Sequence, residues 1–145
     1  MITFYLCDTC GNLIQKIHDG QTTPSCCGHP MQELRPASTD GAVEKHVPEY
    51  IESAVYQTYD DENLVSDSDR NPVRLILVRV GSAPHPMTQI HHIQWIIIET
   101  DQGVYRKDLA PDMAPEALFA LGEDETILNA YAYCNLHGLW MANTP

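Results

Sequence analysis

Branched and aromatic residues concentrate in two segments of the chain, residues 73–80 (VRLILVRV) and 93–99 (IQWIIIE). Such residues favour β-strands, and shorter segments of the same kind occur at 55–59, 104–105 and 139–140. Several short strands separated by turn residues predict an antiparallel β-sandwich. Residues 115–133 are ambiguous, because Ala117, Leu118, Leu121 and Leu128 do not define one period, so a helix is a possible interpretation there.

The first 36 residues have a different pattern, with only two short apolar segments, at 4–6 and 13–14. Turn-forming residues interrupt this region repeatedly, namely Gly11, Gly20, Pro24, Gly28 and Pro30. A unit of this size cannot bury enough apolar surface to fold without a covalent or metal crosslink. We therefore expect a metal-stapled domain at 1–36, a linker near 35–38 and a second domain at 37–145.

Composition and charge exclude several classes of function. The 145 residues are 43% hydrophobic and 19% charged, as expected of a packed domain, and the net charge is −12. This charge argues against nucleic acid or an anionic membrane as partner, since both need a cationic surface. The chain has no apolar run long enough to cross a bilayer and no signal-peptide pattern, so a cytoplasmic location is expected.

Half of the net charge lies between residues 49 and 70, where seven acidic residues and one basic residue give −6. We interpret this segment as a solvated loop or hairpin rather than a docking surface.

Four of the five cysteines have the spacing of a metal site: Cys7-x-x-Cys10, followed by the adjacent pair Cys26-Cys27. Four thiolates suit either iron or zinc, and the spacing does not distinguish a structural metal from a redox-active one. The adjacent pair is unusual. Neighbouring side chains diverge along an extended backbone, so both reaching one ion should distort the angles around it.

The fifth cysteine belongs to a second candidate set that is rich in histidine. Cys134-x-x-His137 precedes a glycine and can place both side chains on one ion; His46, His85 and the pair His91-His92 supply further imidazoles. Imidazoles with one thiolate suit a redox transition metal. A Cys-His hydrolase would need an acyl-binding loop and an orienting partner, and no segment specifies them.

Six segments occur in an order that resembles desulfoferrodoxin, the two-iron class of superoxide reductase: CDTCG, CCGHPM, EKHVP, GSAPHPM, HHIQWI and CNLHGLW. The resemblance implies an all-β protein. A small desulforedoxin-like domain with a four-cysteine iron would precede an immunoglobulin-like antiparallel β-sandwich, the neelaredoxin-like domain, with a mononuclear iron site.

Carried over by position, the resemblance implies two sets of metal ligands. Cys7, Cys10, Cys26 and Cys27 hold the first iron, and His46, His85, His91, His137 and the axial Cys134 hold the second. Glu44 and Lys45 match the family's acidic and basic residues beside the open sixth position, and we assign them as catalytic.

Some residues depart from the family pattern or keep an open role. An aromatic residue is common at position 92, so His92 is a departure that we place near the ligands or on the surface. Trp95, Trp140 and Pro86 could orient ligands or only pack the core. His18 and His29 receive no role.

The implied activity is the one-electron reduction of superoxide to hydrogen peroxide. Lys45 would draw the anion towards the site over roughly one Debye length. The cofactors would be two non-haem irons per chain, with zinc possible at the four-cysteine site. Rubredoxin or a similar small carrier would be the electron donor, and the protein would be a homodimer.

Two other functions compete with this interpretation. The first is a non-catalytic iron protein that uses both sites as electron carriers. The second is a zinc-ribbon binding module fused to a sandwich, which the net charge and the adjacent cysteines argue against.

Overall fold

A computed structural model describes residues 1–39, 41–55 and 73–143 of the chain. The regular secondary structure of the described part is almost entirely β, with a single short helix. In chain order the elements are β1 (Thr3–Leu6), β2 (Leu13–Lys16), β3 (Ser25–Cys26), β4 (His29–Pro30), β5 (Gln32–Leu34), α1 (Val43–His46), β6 (Pro48–Val55), β7 (Val73–Val80), β8 (Ile93–Thr100), β9 (Val104–Asp108), β10 (Glu116–Leu121), β11 (Ile127–Cys134) and β12 (Gly138–Asn143).

The N-terminal unit consists of a three-stranded antiparallel sheet, in the order β2-β1-β5, and the hairpin β3-β4. Its buried centre is small: Tyr5, Cys7 and Met31 form one cluster, with the half-buried Cys26 against it. So little apolar burial fits the prediction that this unit needs a crosslink to be stable.

Two antiparallel sheets form the larger unit, one in the order β10-β7-β6 and the other β12-β11-β8-β9. Their facing sides make one buried cluster, to which the first sheet contributes Ile76, Val78 and Phe119 and the second Ile96 and Ile98. This two-sheet packing confirms the predicted all-β class and antiparallel sandwich.

The strand β8 is buried on both of its faces, which explains its unbroken apolar sequence. Ile96 and Ile98 point between the sheets, whereas Trp95 and Ile97 point to the other side and pack with Phe4 of β1. The Phe4 ring centroid is 5.4 Å from that of Trp95. The N-terminal unit thus covers the outer face of the four-stranded sheet, where a solvated face would show alternating polar residues.

The helix considered for residues 115–133 is wrong, because this region forms β10 and β11. In β10 the side chains alternate, with Ala117, Phe119 and Leu121 buried and Leu118 and Ala120 exposed. The outward positions are apolar as well, so the period of two is hidden in the sequence.

Part of the acidic segment belongs to the sandwich. Residues 49–55 lie in β6, which pairs with β7, and Glu52 accepts a 2.5 Å hydrogen bond from the Arg74 side chain. Residues 56–70, including the rest of the predicted strand at 55–59, lie outside the described residues, so the loop interpretation stays a prediction. Among the residues described, no helix has both the length and the apolar character that crossing a membrane requires.

Candidate metal centres

Five side chains from three separate segments converge at one end of the sandwich. His46 ends α1, His85 and His91 lie in the connection between β7 and β8, Cys134 ends β11, and His137 lies in the turn before β12. One donor atom from each lies within 4.8 Å of every other. Ligand bonds to transition metals are about 2.0–2.3 Å long, so donors on opposite sides of one ion are about 4–4.6 Å apart. The spacing fits a single ion.

Backbone carbonyls fix the orientation of two of the imidazoles. His46 Nδ1–H donates to the Ala42 carbonyl at 2.7 Å, and His85 Nδ1–H donates to the Pro86 carbonyl at 2.6 Å. These bonds leave each Nε2 with a lone pair facing the other donors, the usual arrangement of metal-binding histidines. Pro86 therefore orients a candidate ligand through its carbonyl, a role that the sequence left open.

The donor atoms lie close together, and two of the imidazole nitrogens have no hydrogen-bond partner among the described residues. His46 Nε2 lies 2.9 Å from His137 Nδ1, which is itself 3.6 Å from Cys134 Sγ. The Nε2 atoms of His85 and His91 are buried without any hydrogen-bond partner among the described residues. Buried lone pairs with no donor are costly, and a shared metal ion would satisfy them together.

Burial also sets the protonation of this cluster. It lowers the pKa of His85 to about 4, and it lowers the pKa of His46 and His91 as well. These imidazoles are therefore neutral at pH 7, as ligands must be. Burial raises the pKa of the Cys134 thiol, although the backbone N–H groups of Leu136 and His137 oppose this. A metal ion entering the cluster would displace the thiol proton.

Trp140 packs directly against the candidate ligands. Its ring stacks on His46 at 4.6 Å and 24°, and its Nε1–H donates to the His137 carbonyl at 3.1 Å. Gly41 makes this packing possible, since a Cβ atom there would lie 2.8 Å from Trp140 Cζ2. Trp95, by contrast, belongs to the cluster beneath the N-terminal unit.

The helix α1 carries Glu44 and Lys45, both exposed, next to the buried His46. The turn after β7 holds this helix in place: the Glu44 carbonyl accepts hydrogen bonds from Ala83 N–H at 3.0 Å and from Ser82 Oγ at 3.2 Å. The side chains of Glu44 and Lys45 thus start from a fixed backbone at the edge of the cluster.

His92 lies outside the group of converging donors, as do the exposed His18 and His29. It is half-buried, and its backbone N–H donates to Asn135 Oδ1 at 2.8 Å. Sequence reasoning missed Asn135, whose only signal was its position between Cys134 and His137.

The four N-terminal cysteines also converge, with their sulfur atoms within 4.8 Å of one another. Cys10 Sγ lies 3.6 Å from Cys26 Sγ, which is 3.9 Å from Cys27 Sγ. The adjacent pair reaches one point because Cys27 has a left-handed backbone, with φ of 51°. This conformation redirects its side chain at a cost of about 1–2 kcal/mol, and the distortion expected around the ion stays a prediction.

The four thiols differ in their pKa values and in their hydrogen-bond partners. Hydrogen bonds from the backbone N–H groups of Cys10 and Thr9 lower the pKa of Cys7 to about 7, whereas contacts with Cys10 and Cys26 raise the pKa of Cys27 to about 12. Four thiolates cannot coexist here without a cation, so the set fits a bound metal. Asn12 Nδ2 donates to Cys26 Sγ at 3.5 Å, a contact that the sequence did not indicate.

Comparison with known proteins covers both units. The family model described as "Desulfoferrodoxin" matches residues 38–143, and that described as "Desulfoferrodoxin, N-terminal domain" matches residues 2–34.

Two curated relatives are each 38% identical over 138 residues. They are a desulfoferrodoxin homolog of Archaeoglobus fulgidus, with 95% of this chain and 94% of the relative covered, and a desulfoferrodoxin of Nitratidesulfovibrio vulgaris, with 95% and 93% covered. The crystal structure of the superoxide reductase from Treponema pallidum is similar with a TM-score of 0.69 at 27% identity, over 99% of this chain and 98% of that one. The chain therefore belongs to the desulfoferrodoxin family.

Proposed function

We propose that this protein is a superoxide reductase that converts superoxide to hydrogen peroxide at the cluster of four histidines and one cysteine. The observation that carries the proposal is the convergence of His46, His85, His91, Cys134 and His137 within 4.8 Å. The similarity to the Treponema pallidum superoxide reductase over nearly the full length supports it.

Iron is the metal that we assign to this cluster. Five protein donors exceed the four of a structural zinc site, and imidazoles with a thiolate suit a redox metal. Bound there, a ferrous ion would supply the single electron that the reaction consumes, and water would supply its two protons. We assign a second iron to Cys7, Cys10, Cys26 and Cys27, where zinc is the alternative.

The chain covers the five candidate ligands unevenly. His46, His85 and Cys134 are 2%, 3% and 0% exposed, whereas His91 and His137 are only half-buried. A substrate would thus approach from the side of His91 and His137. A site that small anions can reach favours an enzyme over an electron carrier, because a carrier gains nothing from binding such anions.

We assign Lys45 the task of attracting the anionic substrate. The far field of a chain with net charge −12 repels superoxide, so attraction has to arise locally. Lys45 is exposed and adjacent to His46, and its charge adds to the lowering of the His91 pKa, of which burial is the main cause. Glu44, on the same turn, is assigned to the site from its match to the family.

Further assignments rest on family membership. We propose that residues 1–36 and 37–145 are separate domains. We also propose that the protein acts in the cytoplasm as a homodimer, and that rubredoxin or a similar small carrier delivers the electrons.

The test combines metal analysis with the kinetics of Lys45→Ala. Elemental analysis should find two irons per chain, and pulse radiolysis should show rapid oxidation of the ferrous centre by superoxide. Loss of one local charge should lower the second-order rate on the order of tenfold and weaken its decrease with added salt. Lys107→Ala, which removes an exposed lysine of β9, is the matched control and should keep the wild-type rate.

Two results would count against these assignments. A ferrous centre that superoxide does not oxidise would exclude the reductase and leave an electron carrier. Equal rates for Lys45→Ala and wild type at every salt concentration would exclude electrostatic attraction by Lys45.

A further inference from the structure

Asn135 links two of the segments that supply donors to the cluster of four histidines and one cysteine. It follows Cys134 at the end of β11 and precedes His137 by two residues, while its side chain reaches the segment before β8. Asn135 Nδ2 donates to the Ile90 carbonyl at 2.9 Å, and Asn135 Oδ1 accepts from His92 N–H at 2.8 Å.

These two bonds bracket His91 on both sides of its backbone. A carboxamide offers a donor and an acceptor as a peptide group does, so Asn135 acts like one more residue of a paired strand. The pairing of β8 with β11 has a register irregularity between Tyr133 and Cys134, close to where the side chain takes over. The backbone adds one bond, from Asn135 N–H to the His92 carbonyl at 3.2 Å.

The imidazole of His91 depends on this support more than those of His46 and His85 do. The latter two rings are oriented by bonds from Nδ1 to carbonyls, whereas no hydrogen bond to a described residue orients the ring of His91. The position of His91 is therefore set through its backbone, by a turn with Thr88 and by Asn135.

We propose that Asn135 is a positioning residue that holds His91 in register with Cys134 and His137, so that all three can bind one metal ion. This proposal rests on the proposed metal centre and concerns how the chain keeps the metal. Asn135 itself donates no ligand atom to the cluster.

The experiment measures iron retention in the full-length, iron-loaded protein. A ferrous chelator in excess removes the metal, and its release from each site is followed over time. Loss of an outer partner of a ligand typically weakens metal binding about 10–100-fold. Asn135→Ala should therefore release iron from the histidine–cysteine site about 10–100 times faster than wild type.

Three comparisons distinguish a positioning role of Asn135 from general destabilisation of the protein. The four-cysteine site of the same sample should release iron at the wild-type rate. Asn129→Ala is the matched variant on β11, where Asn129 Nδ2 donates to Glu99 at 2.7 Å, and it should stay within about twofold of wild type. Asn135→Asp keeps the acceptor for His92 but loses the donor to Ile90, so an intermediate release rate is expected.

A spectroscopic readout adds a test that does not depend on release. The thiolate-to-metal absorption band of the oxidised centre should shift in Asn135→Ala and keep its wild-type energy in Asn129→Ala. Wild-type release together with a wild-type band in Asn135→Ala would overturn the proposal. So would equal acceleration in Asn129→Ala and Asn135→Ala.

Failure of this proposal and failure of the proposed function give different results. If superoxide does not oxidise the wild-type centre but Asn135→Ala still loses iron faster, the positioning role stands without the reductase. If the wild type reacts and Asn135→Ala retains iron normally, only the positioning role fails.

Discussion

Replacing Gly81 by alanine should disturb both the stability of the sandwich and the helix that carries Lys45. Gly81 follows β7 with φ of 83°, and its N–H donates to the Val47 carbonyl at 3.0 Å. A Cβ atom at this position would lie 2.5 Å from the Ala83 carbonyl oxygen and 2.7 Å from both the carbonyl carbon and oxygen of Lys45. All three are backbone atoms, so no side-chain rotation can relieve the overlap.

Two effects contribute to the stability that Gly81→Ala is expected to lose. A left-handed backbone costs a residue other than glycine about 1–2 kcal/mol, and overpacking costs about 1–3 kcal/mol. Gly81→Ala should therefore lower the free energy of unfolding by about 2–5 kcal/mol. Because two of the three overlapping atoms belong to Lys45, relaxation that separates the turn from α1 would displace Lys45, and superoxide capture at the proposed site should slow as well.

Urea unfolding, monitored by tryptophan fluorescence, measures the change in the free energy of unfolding. Alanine variants of two other glycines serve as controls. A methyl group added at Gly103 would meet no atom within 4 Å, and φ there is not positive, so Gly103→Ala should change stability by less than about 1 kcal/mol. Gly138 has φ of 67° but its nearest contact is at 3.8 Å, so Gly138→Ala should show the conformational cost alone. If Gly81→Ala were no less stable than Gly138→Ala, the close approach to Lys45 would contribute nothing.

Two further predictions concern the contact between the N-terminal unit and the sandwich. Phe4 is 1% exposed against Trp95 and Tyr131, so Phe4→Ala should cost about 3–5 kcal/mol in chemical unfolding, and a loss below about 1 kcal/mol would contradict this packing. Burial alone would raise the pKa of Glu99, but bonds from the Met1 amino group, Asn129 and Tyr131 outweigh it and hold the pKa below its ordinary 4.5. The ionised carboxylate thus contributes to the free energy of unfolding. This contribution is fully present above pH 4.5 and is lost as the pH falls through the lower pKa that Glu99 has in the folded protein. Urea midpoints between about pH 6 and pH 3 should therefore fall less in Glu99→Gln, and an unchanged acid slope would refute this.

The sequence predicted the strands well where a run of branched and aromatic residues forms a buried strand. Residues 73–80 match β7, and residues 93–99 fall one residue short of β8. The secondary structure of residues 115–133 was not predicted correctly. Leu118 is apolar yet 52% exposed, so the sequence does not show the alternation of buried and exposed side chains in β10.

The candidate ligands were accessible from spacing and resemblance, whereas their supports were not. Asn135 meets Ile90 across 45 positions of sequence, and Gly81 meets Lys45 across a turn, so these roles depend on the folded backbone. The left-handed conformation of Cys27 is likewise invisible in the pair Cys26-Cys27, because non-glycine residues rarely adopt it.

The burial of β8 on both faces restricts how this protein could lose a part in evolution. A chain that began after residue 36 would expose Trp95, Tyr131 and Leu139 as one apolar patch, because Phe4 and its neighbours cover them now. Contiguous apolar patches on a soluble surface promote association. A lineage that discarded the four-cysteine unit would therefore have to replace outward residues of β8, β11 and β12 with polar ones, or recruit another surface to cover them.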